Sequence, residues 1–198
     1  MANKQALRDL QTRLAERMRQ VRTEQPGVSW LAVDCAGQGL LITLRQAGEI
    51  STPGEVLPVP HTQPWLAGVV NLRGGVCTVV DLAAFLGLRD GAGAHLPNQG
   101  SSQQAPTQPR LVAFNAALDI NAAVLVDRLE GLRHAVDLQR EPELTPESPD
   151  NGMPVPDAHA TGKPAFALAR WHDAAGRMWQ EIDLAELAKL PQFLAVTG

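Results

Sequence analysis

The chain has 198 residues, enough for one large domain or two small ones with a proper core, and 44% of them are apolar. Its net charge of −4 leaves no basic footprint, which argues against nucleic acid as a partner. No apolar run approaches the ~20 residues of a membrane span, and the polar N-terminus carries no apolar signal core, so a cytoplasmic protein without direct membrane insertion is expected.

Residues 4–22 predict an amphipathic helix. Leu7, Leu10, Leu14, Met18 and Val21 recur at spacings of three and four, while Arg8, Asp9, Arg13, Glu16, Arg17 and Arg19 fill the other faces. Glu24-Gln25-Pro26-Gly27 ends it. Such a stripe either docks on the chain's own domain or serves as a partner-binding or dimerising face. Residues 28–35 and 39–44 are strand-like and joined by a hairpin signal, Ala36-Gly37-Gln38. Residues 45–50 follow, then a turn at Ser51-Thr52-Pro53-Gly54. Val56-Leu57-Pro58-Val59-Pro60 must be extended, because each proline pushes the residue before it out of helix.

Residues 65–87 are the stretch around which the rest is organised. Two apolar runs rich in valine, 66–72 and 76–80, flank Arg73, Gly74 and Gly75. β-Branched residues favour strand, and a Gly pair supplies the positive φ that a tight antiparallel turn needs. The expectation is a β-hairpin with Arg73 at or beside its tip, then a short helix over 82–86 with Asp81 as N-cap and Gly87 as stop. The two cysteines, Cys35 and Cys77, lack CxxC spacing and fall in strand-like runs. They read as buried structural thiols, with a disulfide or redox role as the alternative.

Residues 89–109 have no periodicity and are rich in Gly, Ala, Gln, Ser and Pro, the composition of a mobile loop dividing the chain into halves. Strands follow at 110–115, 120–127 and 129–136. Residues 138–163, with five prolines, read as a long irregular surface segment. A hairpin over 165–171 and 177–182 turns at Asp173-Ala174-Ala175-Gly176. A helix over 183–190 starts at Asp183, with Glu186 at capping-box spacing.

Nothing in this pattern carries catalysis. The five histidines, His61, His95, His134, His159 and His172, have no metal-ligand spacing; there is no nucleophile motif and no phosphate loop. No metal or cofactor is expected. Arg73 alone stands out. It is either a solvated turn residue paired with a carboxylate such as Asp81, or an interface arginine whose planar fork makes directed hydrogen bonds.

The run Gly68-Val69-Val70-Asn71-Leu72-Arg73-Gly74-Gly75-Val76-Cys77-Thr78-Val79-Val80-Asp81-Leu82 resembles the signature G-V-x-N-L-R-G-x-V-x-x-V-x-D-L of the CheW-like chemotaxis coupling domain, with Thr78 where the family often has proline. Gly48-Glu49-Ile50, Val59-Pro60-His61-Thr62-Gln63-Pro64, Val124-Leu125-Val126-Asp127-Arg128-Leu129 and the segment from Gly176 to Leu187 resemble further family segments. The resemblance spans 28–190 and is densest at 56–88. It implies a mainly β chain of two SH3-like five-stranded barrels packed with a groove between them, short helices, and an appended helix over 1–24. It also implies a non-catalytic adaptor that couples the cytoplasmic tip of a methyl-accepting chemoreceptor to a CheA-type histidine kinase. Arg73 would then lie on the contact surface, in one turn with Asn71 and Gly74. Gly68, Glu49, Ile50 and Leu129 match family positions near such surfaces. The N-terminal stripe and the tail Leu190-Pro191-Gln192-Phe193-Leu194 look more like the CheW-like proteins of type IV pilus twitching systems than like flagellar adaptors. The rivals are a flagellar-type coupler, a receptor-binding module that activates no kinase, and an enzyme with its site in the groove.

If the helix is an appendage, deleting residues 1–24 leaves a folded body. Far-UV circular dichroism should lose helical signal and keep the β signature, with cooperative melting. Aggregation or loss of the melting transition would place the stripe in the central core.

Overall fold

The structure, a computed structural model, describes residues 28–91, 108–142 and 164–197. The expected helix over 4–22, His95 and His159 lie outside the described residues, as do 92–107 and 143–163. Among the described residues, eleven strands form two sheets. The first is six-stranded, in the order β8-β1-β2-β11-β10-β9. It contains β1 (Ser29–Cys35), β2 (Gln38–Thr43), β8 (Arg128–His134), β9 (Leu138–Arg140), β10 (Ala167–Asp173) and β11 (Met178–Ile182). The second is five-stranded, in the order β3-β6-β7-β5-β4, from β3 (Ala47–Ser51), β4 (Leu66–Leu72), β5 (Gly75–Asp81), β6 (Arg110–Phe114) and β7 (Ala122–Val126). Three short helices complete it among the described residues: α1 (Leu82–Phe85), α2 (Leu184–Ala188) and α3 (Pro191–Leu194).

The chain is mainly β, as the sequence implies, but its halves are not the two sheets. β5 and β6, on either side of residues 92–107, both belong to the five-stranded sheet, and β8 to β11 return to the sheet that β1 and β2 began. Each sheet is completed by one parallel pairing between strands remote in sequence, β2 with β11 and β5 with β7. The sixth strand of the first sheet is β9, at the start of the segment read as irregular. Leu138 buries its side chain there, while Gln139 and Arg140 stay exposed. Proline-rich composition further along the segment hid this three-residue strand.

Both sheets are rolled. The edge strands β8 and β9 of the first are joined by nothing more than the 3-10 turn Ala135–Asp137. In the second, the edge strands β3 and β4 meet through an ion pair between Glu49 and Arg73. Rolling buries the strands on both faces, which is why they read as continuous apolar runs instead of alternating ones. All five residues of β7 are buried. Alternate residues then serve different interiors. Leu111, Ala123 and Leu125 join Val70, Cys77 and Val79 inside the five-stranded sheet. Trp30, Ala32 and Leu41 join Leu138 and Trp179 inside the six-stranded one. The residues between them, Leu31, Val33, Leu40 and Ile42 from one sheet and Val80, Val112, Val124 and Val126 from the other, form a shared core with α1, α2 and Phe193.

The helix caps follow the residues that predict them. Asp81 Oδ1 accepts from Ala84 N at 3.1 Å and starts α1. Asp183 Oδ1 accepts from Ala185 N and Glu186 N at 2.8 and 3.0 Å and starts α2. The reciprocal half of that capping box is not made, because Asp183 N donates to Phe166 O and Glu186 pairs with Lys189. Cys35 and Cys77 are free and buried. Burial pushes both thiols up, Cys35 further because Asp127 and Asp81 stand near it, so both act as small apolar residues.

Where the sheets meet, Arg89 is held between two buried carboxylates. Its Nη2 donates to Asp81 Oδ1 and Oδ2 at 2.7 and 2.8 Å, and Nη1 donates to Asp127 Oδ1 at 2.7 Å. Asp127 Oδ2 also accepts from Ala36 N at 2.7 Å, in the β1–β2 turn. Burial opposes the guanidinium's charge, but the bonds and charges of Asp81 and Asp127 outweigh it and raise its proton affinity. The expectation that Arg89 opens a mobile loop is therefore corrected. It is 12% exposed and anchors the chain before residue 92. Arg89→Ala leaves two buried carboxylates unpaired and should cost about 3–5 kcal/mol of unfolding free energy. Trimming 92–107 to a short Gly/Ser bridge with Arg89 retained should change it by under about 1 kcal/mol, because closure entropy varies slowly with loop length. Equilibrium denaturation of both variants measures the contrast.

Candidate binding surface

Leu72 pairs with Gly75 across the β4–β5 hairpin, which leaves Arg73 and Gly74 as a two-residue turn. Their φ angles, 51° and 81°, are both positive, the type I′ geometry whose twist matches the flanking strands. Glycine adopts such a φ freely and arginine does not. Asn71 locks the turn, its Oδ1 accepting from Gly74 N at 2.9 Å. Three of the expected site residues, Asn71, Arg73 and Gly74, are thus one structural unit.

The side chain of Arg73 is 77% exposed and its Nε lies 2.5 Å from Glu49 Oε2 on β3. Ile50 follows Glu49 and is exposed. Val76, paired with Asn71, and Leu57, bridged to Val69, leave further apolar surface beside the turn. The corner therefore presents one cation, one carboxylate and several aliphatic side chains. An exposed pair of this kind contributes about 0–1 kcal/mol, so the fold does not depend on it. The alternative partner read from sequence, Asp81, is excluded by geometry. It sits at the far end of β5, about 20 Å along the strand, and is taken by Arg89.

The other two expected residues lie elsewhere. Gly68 is buried at a bulge in β4 with φ 137°, and a Cβ there would stand 2.2 Å from Leu57 O. Close backbone crossing requires its glycine. Leu129 is half-buried in β8 of the six-stranded sheet and packs on the shared core. The surface thus gathers Glu49, Ile50, Asn71, Arg73 and Gly74, and does not gather Gly68 or Leu129. Val76 and Leu57 were not singled out from sequence. Val76 directly follows the glycine pair, where the turn exposes it.

No group of three or more His, Cys, Asp or Glu residues able to hold a metal occurs among the described residues. No helix among them is long and apolar enough to cross a membrane.

Comparison with known proteins agrees with this geometry. The crystal structure of the scaffolding protein TtCheW from Thermoanaerobacter tengcongensis superposes with a TM-score of 0.56 and 18% identity, over 84% of this chain and 95% of that one. That likeness establishes the fold. Protein PilI of Pseudomonas aeruginosa is 25% identical over 109 residues, 54% of this chain and 53% of PilI, so the match spans about half of each. The CheW-like domain family matches residues 29–190, from the first residue of β1 to just past α2. With two interleaved β-sheets and the Asn-Leu-Arg-Gly turn at the corner of one of them, the chain belongs to the CheW-like domain family, the non-catalytic scaffolds of chemotaxis-type signalling.

Proposed function

We propose that this scaffold couples the cytoplasmic tip of a methyl-accepting chemoreceptor to a CheA-type histidine kinase, in the cytoplasm, within a type IV pilus twitching system. The observation that carries the reading is the Arg73 turn. Its backbone is locked by Asn71, its guanidinium is exposed, and its only described ion pair is an exposed one, with Glu49. An arginine held on a rigid turn loses little entropy when a partner's carboxylate replaces Glu49, and the aliphatic flank of Ile50, Val76 and Leu57 adds the apolar area that interface centres use. In this reading Glu49, Ile50, Asn71, Arg73 and Gly74 form the protein-binding surface, with Gly68 shaping β4 behind the turn and Leu129 on the other sheet. The similarity to PilI, together with the N-terminal stripe, favours the twitching pathway over the flagellar one.

Coupling needs differential contact: receptor state changes kinase output only if the scaffold's contacts differ between the two states. Two sheets with a common core can pass such a difference between surfaces on opposite sheets.

Arg73→Glu should change unfolding free energy by no more than about 0.5 kcal/mol, as an exposed substitution does. It should weaken binding to the kinase's regulatory domain or to the receptor tip by about tenfold or more, equivalent to at least about 1.4 kcal/mol. The double variant Glu49→Arg/Arg73→Glu restores the internal pair with its polarity reversed and should stay as weak as the single one. Titration by calorimetry against each partner checks this, and wild-type affinity of Arg73→Glu for both removes the surface.

A further inference from the structure

The connection between β3 and β4, residues 52–64, contains no buried residue, yet it carries Leu57 to the flank of the Arg73 corner. Among the described residues, two places along it are hydrogen-bonded to other parts of the chain. In the middle, Leu57 and Val69 exchange backbone hydrogen bonds of 2.8 Å in each direction, beside Val56, which packs on the interior of the five-stranded sheet. At the end, Thr62 bridges to Thr197, Gln63 N donates to Val196 O at 2.9 Å, and Gln63 Nε2 donates to Thr197 O at 3.0 Å. Gln63 O in turn accepts from Leu66 N at 3.0 Å, at the start of β4. Thr62 Oγ1 donates to Val59 O at 2.8 Å, which carries this second hold back toward Leu57.

The residues that make the second hold arrive from the other sheet. After β11 of the six-stranded sheet, α2 and α3 follow, and Phe193 of α3 is buried against three rings. Its centroid lies 6.2 Å from Trp65, 6.0 Å from Phe114 and 5.5 Å from Phe85. Aromatic pairs at such spacings contribute beyond the area they bury. Phe193 is therefore the anchor, and residues 195–197, directly after α3, are in place to bond 62 and 63. A segment with so few bonds and so much exposed backbone opens at low free energy unless it is restrained.

We infer that residues 191–197 are a clasp, with Phe193 and Gln63 as positioning residues that hold the β3–β4 connection on its sheet and so keep Leu57 in the binding surface. This role rests on the reading of the Arg73 corner as that surface. The Arg73 turn itself is locked by Asn71 Oδ1, which the clasp does not supply.

Hydrogen exchange of the folded full-length chain tests the clasp, and titration tests its consequence. Gln63→Ala removes one hydrogen bond, so the Leu57 and Val69 amides should exchange about twofold to tenfold faster, with the Gly74 amide unmoved. Phe193→Ala should speed Leu57 and Val69 further. Leu41→Ala, a core truncation inside the six-stranded sheet, lowers global stability without altering the clasp and should leave both rates alone. The two clasp variants should also weaken, severalfold, whichever partner Arg73→Glu weakens, while Leu41→Ala binds it as the wild type does. Leu57 and Val69 rates that ignore Gln63→Ala and Phe193→Ala, or that respond equally to Leu41→Ala, would overturn the clasp. Faster exchange with wild-type affinity would overturn the positioning role. If Arg73→Glu keeps wild-type affinity for both partners, the surface reading fails instead, and the exchange rates alone decide whether the clasp exists.

Discussion

The fold depends on one buried ionic junction. Asp81 ends β5, Asp127 directly follows β7, and both carboxylates are buried where the two sheets meet. An isolated buried carboxylate costs several kcal/mol, so each needs a partner there. Arg89 answers both at once with a bidentate bond to Asp81 and a single one to Asp127. The same two carboxylates cap α1 and hold the β1–β2 turn through Ala36 N. One guanidinium therefore joins a strand end, a helix start and a hairpin from different sheets. Replacing it with an apolar residue would remove the charge that all three share.

Around this junction the strands work on both faces. Val124 and Val126 point into the shared core, while Leu125 between them points into the interior of its own sheet. Leu40 and Ile42 do the same around Leu41. A strand cannot shift its register by one residue without exchanging two different apolar environments, so each sheet constrains the other. The six-stranded sheet adds a polar lock of its own. Glu181, buried in β11, accepts from the indoles of Trp30 and Trp171 at 2.9 and 3.0 Å, which satisfies both of its oxygens. Trp179 lies under the guanidinium of Arg177, 4.4 Å from its carbon to the ring centroid. This construction makes a rigid body with exposed corners.

Local structure was legible where backbone chemistry forced it. The valine runs, the Arg73-Gly74 turn and the Asp81 and Asp183 caps could be placed because each rests on neighbours in sequence. What joins distant segments was not. The parallel pairing of β2 with β11 and of β5 with β7 leaves no mark in either strand. Nor does composition separate Arg89 from the Gly- and Ala-rich stretch after it. One signal was present: Val79-Val80-Asp81 and Val124-Leu125-Val126-Asp127 each end a fully apolar run on a carboxylate. Two such carboxylates call for a cation between them. At the candidate surface, the turn was legible but its partner was not, because Glu49 reaches Arg73 only once the sheet is rolled.

The central claim is that the two sheets form one cooperative unit through the shared core and the Arg89 junction. Native-state hydrogen exchange at a series of low denaturant concentrations tests it most directly, read at Ala32 and Leu41 in one sheet and at Val80 and Val124 in the other. The account predicts that all four amides exchange only through global unfolding, with a common free energy and a common denaturant dependence. If one sheet exchanges through a cheaper, smaller opening while the other stays protected, the sheets are separate units and the account is contradicted.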